Sequence, residues 1–301
     1  MSVDREVSEV TPAAALAVAV FAASTSAILV RWSAAPSSVA AFYRVCFTTA
    51  LVAPLALARH RRAFARLSRR DLAGAVVAGV ALAVHFAAWF ESLDHTSVAA
   101  SVTIVQSQPI FVALGAALLL GERVGRATVA GIAVAVVGGA AMSLGDAGRA
   151  PLSDATLYGN ALALLGAVTV AGYVLAGRSI RQRVPLFPYV TVVYGVCTAV
   201  LLLVVGAQGH AYVGYPAREW LLFLGLAVGP GIVGHTVSNW VLEHLESVVV
   251  SVAWLGEPVG ATLLALALLG EVPDAITVVG GVVVLAGIAV TTLDRERRGG
   301  V

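Results

Sequence analysis

The stretch LAGAVVAGVALAVHFAAWF, Leu72 to Phe90, carries no charged residue over the ~20 residues that a helix needs to cross a bilayer. It lacks the polar–apolar alternation that a lipid-exposed barrel strand shows over about 10 residues. Ala13 to Val30 and Ala127 to Gly145 read the same way. The whole chain agrees with these three segments. Its 301 residues are 59% hydrophobic and 12% charged, with a mean hydropathy of +0.91, whereas a soluble domain is about 25% charged. Aromatic residues supply 7% and glycine contributes 30 residues, so the apolar mass takes the form of small-residue helices able to approach closely. The composition therefore predicts an all-α integral membrane protein and excludes an ordinary soluble globule.

A window of about 19 residues places ten spans near 12–31, 37–58, 71–91, 97–120, 126–145, 156–177, 187–206, 219–241, 247–269 and 274–293. The longest connections, Arg59 to Arg70 and Ala207 to Arg218, leave no room for a soluble catalytic domain. Orientation follows from arginine, because cytoplasmic loops retain positive charge. All 19 basic residues are Arg. Arg5, Arg59, Arg61, Arg62, Arg66, Arg69, Arg70, Arg123, Arg126, Arg178, Arg181, Arg183, Arg295, Arg297 and Arg298 fall on one side, and Arg31, Arg149 and Arg218 on the other. The expectation is a multi-pass plasma-membrane protein with both termini cytoplasmic. The acidic opening, with Asp4, Glu6 and Glu9, is unlike a secretory signal, so the first span is expected to be retained.

The chain repeats itself. Tyr43-Arg44-Val45-Cys46 recurs as Tyr194-Gly195-Val196-Cys197, His85 as His235, and Ser97-Val98 and Ser101-Val102 as Ser247-Val248 and Ser251-Val252. Pro109 and Pro258 correspond, as do Gly121-Glu122 and Gly270-Glu271. The offset drifts slowly and the matches stay in order, as one-residue insertions in a duplicated unit would produce. Residues 1–150 and 151–301 are then two units of five spans, and an odd number of spans makes the second unit enter the membrane from the opposite side. Inverted repeats of this kind are a common architecture of secondary transporters.

At Phe42-Tyr43-Arg44, at Thr96-Ser97-Val98-Ala99-Ala100 leading to Gln108-Pro109-Ile110-Phe111 and Leu120-Gly121-Glu122-Arg123, and at Leu255-Gly256-Glu257-Pro258 leading to Leu269-Gly270-Glu271, the chain resembles the EamA-type branch of the drug/metabolite transporter superfamily. The resemblance covers spans one to ten. It implies two inverted five-helix repeats, a central cavity lined mainly by spans one, three, four, six, eight and nine, and export or permeation of amino acids or other small metabolites. Span one reads Ala23-Ser24-Thr25-Ser26 where a Trp-Gly-Ser-type step is common in the family, so the substrate class is not carried over with it.

Glu257 is the first candidate for chemistry, since an ionised carboxylate in mid-span costs several kcal/mol unless it is paired or protonated. Pro258 lacks an N–H and is expected to free the Trp254 carbonyl, as Pro109, after Gln108, is expected to free that of Val105. The outcome would be a midplane site with one acidic pole, suited to a proton or a cationic amine; the alternative is a pair of simple kinks with Glu257 as interhelical glue. Arg44 lies about two turns into span two and stays charged. Its partner is a substrate carboxylate, Glu91 or Glu257, or it snorkels to the interface. His85 and Trp89 share one helix face, as do His235 and Asn239. These four either line a cavity or make ordinary interhelical hydrogen bonds. Trp254 and Trp240 are candidates for stacking on a substrate. Asn160, Tyr173, Gln106 and Tyr194 complete the candidates.

Span five spaces small residues at Ala127, Gly131, Ala135, Gly139 and Ser143, which predicts close helix packing. Glu122 and Glu271 are read as local structural contacts. The Arg59 to Arg70 run suits anionic lipid, although topology alone accounts for it. Cys46 and Cys197 both fall in apolar spans and predict neither a disulfide nor a metal site. No cofactor is expected, and ATP drive is not supported, because there is no Gly-x-x-x-x-Gly-Lys loop. The expected partners are a small-molecule substrate and the lipid bilayer, with protons as the candidate coupling ion, a homodimer compatible, and no nucleic acid. The sequence points to a secondary transporter of a small polar metabolite, an amino acid or related compound. Its alternatives are a nucleotide-sugar or sugar-phosphate carrier, disfavoured because phosphate recognition needs convergent cations, and an intramembrane enzyme, disfavoured for want of a His-Glu-x-x-His motif or an Asp pair.

Overall fold

The computed structural model describes residues 11–96, 101, 104–145, 154–270 and 272–297, and every regular element among them is helical. Ser97, Val98, Val102 and Glu271, which the sequence repeat involves, lie outside the described residues. The elements are α1 (Pro12–Trp32), α2 (Ser37–Arg59), α3 (Arg61–Ala65), α4 (Arg69–His95), α5 (Gln108–Gly115), α6 (Arg126–Gly145), α7 (Asp154–Arg181), α8 (Leu186–Ala207), α9 (Ala217–Leu226), α10 (Val237–His244), α11 (Ser247–Ala253), α12 (Glu257–Leu269) and α13 (Ala275–Arg297). Wider π turns continue α5 over Ala116–Leu120 and join α9 to α10 over Ala227–Thr236, and a 3₁₀ turn, Trp254–Gly256, separates α11 from α12.

Among the described residues, eight helical stretches are long and apolar enough to cross a membrane, and Gln108–Leu120 and Arg126–Met142 are shorter apolar helices. Large apolar side chains point outward, among them Leu118, Leu119, Val137, Leu203 and Leu221. Such a surface would drive association in water and suits lipid. The chain is thus a multi-pass helical membrane protein.

Local chemistry sets the helix ends. Thr11 accepts from the Ala14 N–H at 3.2 Å with Pro12 in the first turn, and Ser68 accepts from the Asp71 N–H at 3.1 Å, each satisfying a donor that the first turn leaves unpaired. Gly121 and Gly270 close their helices in the same left-handed conformation, φ 69° and φ 68°, which glycine adopts without a Cβ clash. The connection after α2, expected to be a loop, contains the five-residue α3; a helix that short carries no apolar periodicity to reveal it.

The packing is paired. α6 lies against α13, α4 against α7, α2 against α8, and α8 also against α4. α1 packs on the 227–236 turn and on α12, while α5 packs on α7. Glycine makes the α6–α13 seam tight: a Cβ on Gly287 would lie 2.5 Å from the Ala135 nitrogen, and one on Gly138 2.6 Å from that of Val284. The expected small-residue ladder holds at Gly131 and Ala135 but then shifts to Gly138, since a Cβ on Gly139 meets nothing within 4 Å. Steps of four residues overshoot a 3.6-residue turn, so a strict i+4 ladder rotates off the contact face.

Candidate functional site

Where α2 meets α4, α8 and the 227–236 turn, the residues that could act on a ligand converge. Arg44 is 4% exposed. It does not snorkel. Its guanidinium sits 4.9 Å from the centre of the Phe86 ring and donates to Ser26 Oγ at 3.4 Å. Ion pairs such as Arg178–Glu122, Arg181–Glu243 and Arg183–Asp71 lie at helix ends, and Arg44 takes part in none. Glu257 is the carboxylate whose charge acts on it at longer range, and Tyr194 and Tyr173 also fall within its field. Of the two carboxylates proposed from sequence as partners of Arg44, the field of Glu257 reaches it; Glu91 instead bonds Gln208 at 3.0 Å and His95 at 3.3 Å.

Around this pair the rings form a chain. Phe86 contacts His85 at 5.1 Å and His235 edge-on at 5.9 Å; His235 lies 4.9 Å from Trp254 and 6.2 Å from Tyr173. His85 stacks on Trp89 at 5.9 Å, and its Nδ1 is 2.9 Å from the Gly166 carbonyl, which fixes the ring against α7. Asn239 donates through Nδ2 to the Tyr173 hydroxyl and, at 2.8 Å, to the His235 carbonyl. Tyr194 and Thr236 hydroxyls meet at 3.2 Å. Several buried polar atoms in and beside this cluster have no protein partner, namely Trp89 Nε1, Asn239 Oδ1 and Tyr189 Oη; Gln106 Oε1, which no contact ties to the cluster, has none either. Unpaired buried polar atoms are costly.

The residues expected from sequence thus separate into two groups. Arg44, His85, Trp89, Tyr173, Tyr194, His235, Asn239 and Trp254 come together, and Glu257, in the first turn of α12, lies within electrostatic range of Arg44. Asn160 does not join them: its Oδ1 accepts from Thr96 at 2.9 Å, tying α7 to the end of α4. Trp240 stacks on His244 at 4.5 Å at the far end of α10. Gln108 and Pro109 open α5, and Gln108 is buried there. The Trp254 carbonyl is not free, because the 3₁₀ turn lets the Glu257 N–H donate to it. Proline here sits in a helix's first turn, where its missing N–H costs nothing.

Phe86, Ser26 and Thr236 were not anticipated. Phe86 is one apolar residue among many, and only its place beside His85 hinted at the face it occupies. Glu122 was expected to be local but reaches across the chain: its Oε1 accepts from the Ser247 N–H at 3.1 Å, its Oε2 from the Ser247 hydroxyl at 3.0 Å, and Arg178 Nε is 3.3 Å away. A carboxylate there caps α11 and complements its N-terminal dipole. Arg181, read only as a topology signal, is 2% exposed and donates to the carbonyls of Asn239 and Val184 and to Glu243 Oε2. No group of three or more His, Cys, Asp or Glu suited to a metal ion occurs among the described residues.

A multi-pass bundle with a buried guanidinium among rings, near a carboxylate at a helix break, defines a class of membrane proteins built around an internal polar site. The chain belongs to the EamA-like transporter family, whose profile matches residues 11–144 and again 157–293. It is 30% identical to the pseudopaline exporter CntI of Pseudomonas aeruginosa over 265 residues, 88% of each chain. It is 29% identical to a probable terminal-alkyne amino-acid exporter of Streptantibioticus cattleyicolor over 209 residues, 67% of this chain and 68% of that one. A solved structure, described only as the crystal structure of a protein, superposes with a TM-score of 0.80, covering 94% of this chain and 96% of its own at 24% identity, a likeness of fold. The protein is accordingly a transporter with exporters among its relatives.

Proposed function

We propose that this transporter exports a small zwitterionic metabolite, an amino acid or a related compound, across the plasma membrane by alternating access. The observation that carries the reading is Arg44, buried among rings, in no ion pair among the described residues, and within electrostatic range of Glu257. A buried charge without a close partner is costly, and a substrate with a carboxylate for Arg44 and an ammonium group for Glu257 relieves both poles. The aromatic chain from Trp89 to Trp254 supplies walls for the rest of the molecule. That two relatives are named as exporters, one of an amino acid, agrees with this class. A sugar-phosphate cargo is disfavoured, because phosphate favours convergent unpaired cations: Arg44 stands among the rings, whereas Arg181, bonded to the Asn239 carbonyl, is already paired with Glu243.

The architecture that goes with this function is ten spans in two inverted five-helix repeats, residues 1–150 and 151–301, with both termini cytoplasmic. Support comes from the two family matches, from the like conformation of Gly121 and Gly270, and from the pairing of helices. The pairing of α4 with α7 answers that of α1 with the 227–236 turn, and α5 on α7 answers α12 on α1. Rocking one half against the other would expose the Arg44–Glu257 region to each side in turn.

The test is counterflow of a labelled amino-acid panel in proteoliposomes, with and without an imposed pH gradient, for the wild type and Glu257→Gln. Uptake above empty liposomes that responds to the gradient, and loses that response in the variant, supports a proton-coupled carrier centred on Glu257. Uptake that ignores both gradient and variant assigns Glu257 to structure, and no uptake of any amino acid removes the substrate class.

A further inference from the structure

The Arg59 to Arg70 segment is more than a loop of positive charge. The end of α2, the short helix α3 and the start of α4 fold around a cavity of about 720 Å³ that is completed by Arg183, Val184 and Pro185 from the α7–α8 connection. Arg59, Arg61, Arg62, Arg66 and Arg183 line it, against the single carboxylate of Asp71. That carboxylate is already engaged: Asp71 accepts from Ser68 Oγ at 2.6 Å and from Arg183 Nε at 2.6 Å. Arg183 also donates to the Ser179 carbonyl at 2.6 Å. Arg59, Arg61, Arg62 and Arg66 form no ion pair among the described residues. His60 stacks on Phe187 at 5.2 Å, which pins the turn between α2 and α3 to the start of α8 and gives the cavity a fixed wall.

Topology requires arginines on this side of the membrane but does not require them to converge. Four unpaired guanidinium groups around one concavity repel each other, and their planar forks match phosphate oxygens two at a time. The surroundings point to lipid. Leu55 lies one helical turn from Arg59 on α2, Leu72 adjoins Asp71 on α4, and both are exposed. Acyl chains would therefore run beside the helices directly next to the cavity.

We propose that this cavity binds the phosphate of an anionic phospholipid headgroup, which would bridge the α2–α4 turn and the α7–α8 connection. Basic pockets between helix ends at a membrane surface bind anionic headgroups in this manner.

The experiment uses the purified full-length chain in detergent. Its thermal midpoint is followed while short-chain phosphatidylglycerol, phosphatidylcholine of the same chain length, glycerol phosphate or inorganic phosphate is titrated in. The expected result is a saturable upward shift with phosphatidylglycerol alone at low concentration. Arg59→Gln/Arg62→Gln/Arg66→Gln should weaken it on the order of 100-fold, at about fivefold per arginine. Arg69→Gln/Arg70→Gln removes charge from residues that do not line the cavity and should leave the apparent affinity within about fivefold of wild type. All these side chains are exposed, and unchanged ligand-free midpoints will show that both variants fold. Equal shifts with phosphatidylcholine, or equal losses in the two variants, would overturn the site in favour of diffuse charge. Binding of inorganic phosphate as tight as that of the lipid would overturn the lipid assignment and leave a soluble phosphate site.

Discussion

Residues 42–46 and 193–197 correspond in the sequence repeat, and they differ in charge. Tyr43-Arg44-Val45-Cys46 carries a guanidinium; Tyr194-Gly195-Val196-Cys197 has a glycine instead, and a Cβ there would meet nothing within 4 Å. Likewise Gln108-Pro109 corresponds to Glu257-Pro258, and Trp89 to Asn239. What the halves share is backbone grammar: a proline in the first turn of α5 and of α12, and a left-handed glycine closing each helical stretch. What they do not share is charge, a cation in the first half and an anion in the second. A shared backbone pattern thus carries two unlike charges, the arrangement that the proposed zwitterionic substrate would need.

The sharpest way to break this comparison is to move the charge. Arg44→Gln is expected to lower transport about 100-fold, or about 2.7 kcal/mol, the scale of lost charge-assisted contacts. Arg44→Gly/Gly195→Arg should fail to restore it in the same counterflow assay. If the swapped chain transports like wild type, the halves are interchangeable and the asymmetry carries no function.

The next effect concerns the seam that both halves build together. Gly287→Val should destabilise the bundle by about 1–3 kcal/mol through overpacking against Ala135. Gly139→Ala, with open space around it, should be neutral or raise stability by up to about 1 kcal/mol. Unfolding midpoints in denaturing detergent decide this. Glu122→Gln should cost about 2 kcal/mol by weakening the α11 cap and the Arg178 pair. Smallest is Arg183→Gln: its pair with Asp71 is close, but the arginine side chain is 45% exposed, so less than about 1 kcal/mol should be lost.

The all-helical, membrane-spanning character of the fold was legible because long apolar runs are written locally. The turns that interrupt the helices were not. The 227–236 turn contains Pro230 and three glycines, yet nothing local distinguishes a π turn from a kink. The cluster around Arg44 was legible wherever a polar side chain stood alone in an apolar span, as at Arg44, His85 and His235. It was illegible where the informative partner was itself apolar, as at Phe86, or where the contact joined distant segments. Asn160 looks the same in sequence as Asn239, and only the proximity of Thr96 to one and Tyr173 to the other separates an end tie from a member of the ring cluster. Glu122 and Arg181 read as loop charges because all their partners but Val184 lie 56 to 125 residues away.

Two oppositely charged poles are what the proposed substrate class depends on. The measurement that tests them most directly is competition in counterflow by a transported amino acid, its amide and its N-acetyl derivative, for wild type, Arg44→Gln and Glu257→Gln. Wild type should reject both derivatives by at least about tenfold, a scale of about 1.4 kcal/mol. Arg44→Gln should lose only the discrimination against the amide, and Glu257→Gln only that against the N-acetyl compound. If both variants keep the wild-type pattern, neither side chain reads the substrate's charges and the central claim is wrong.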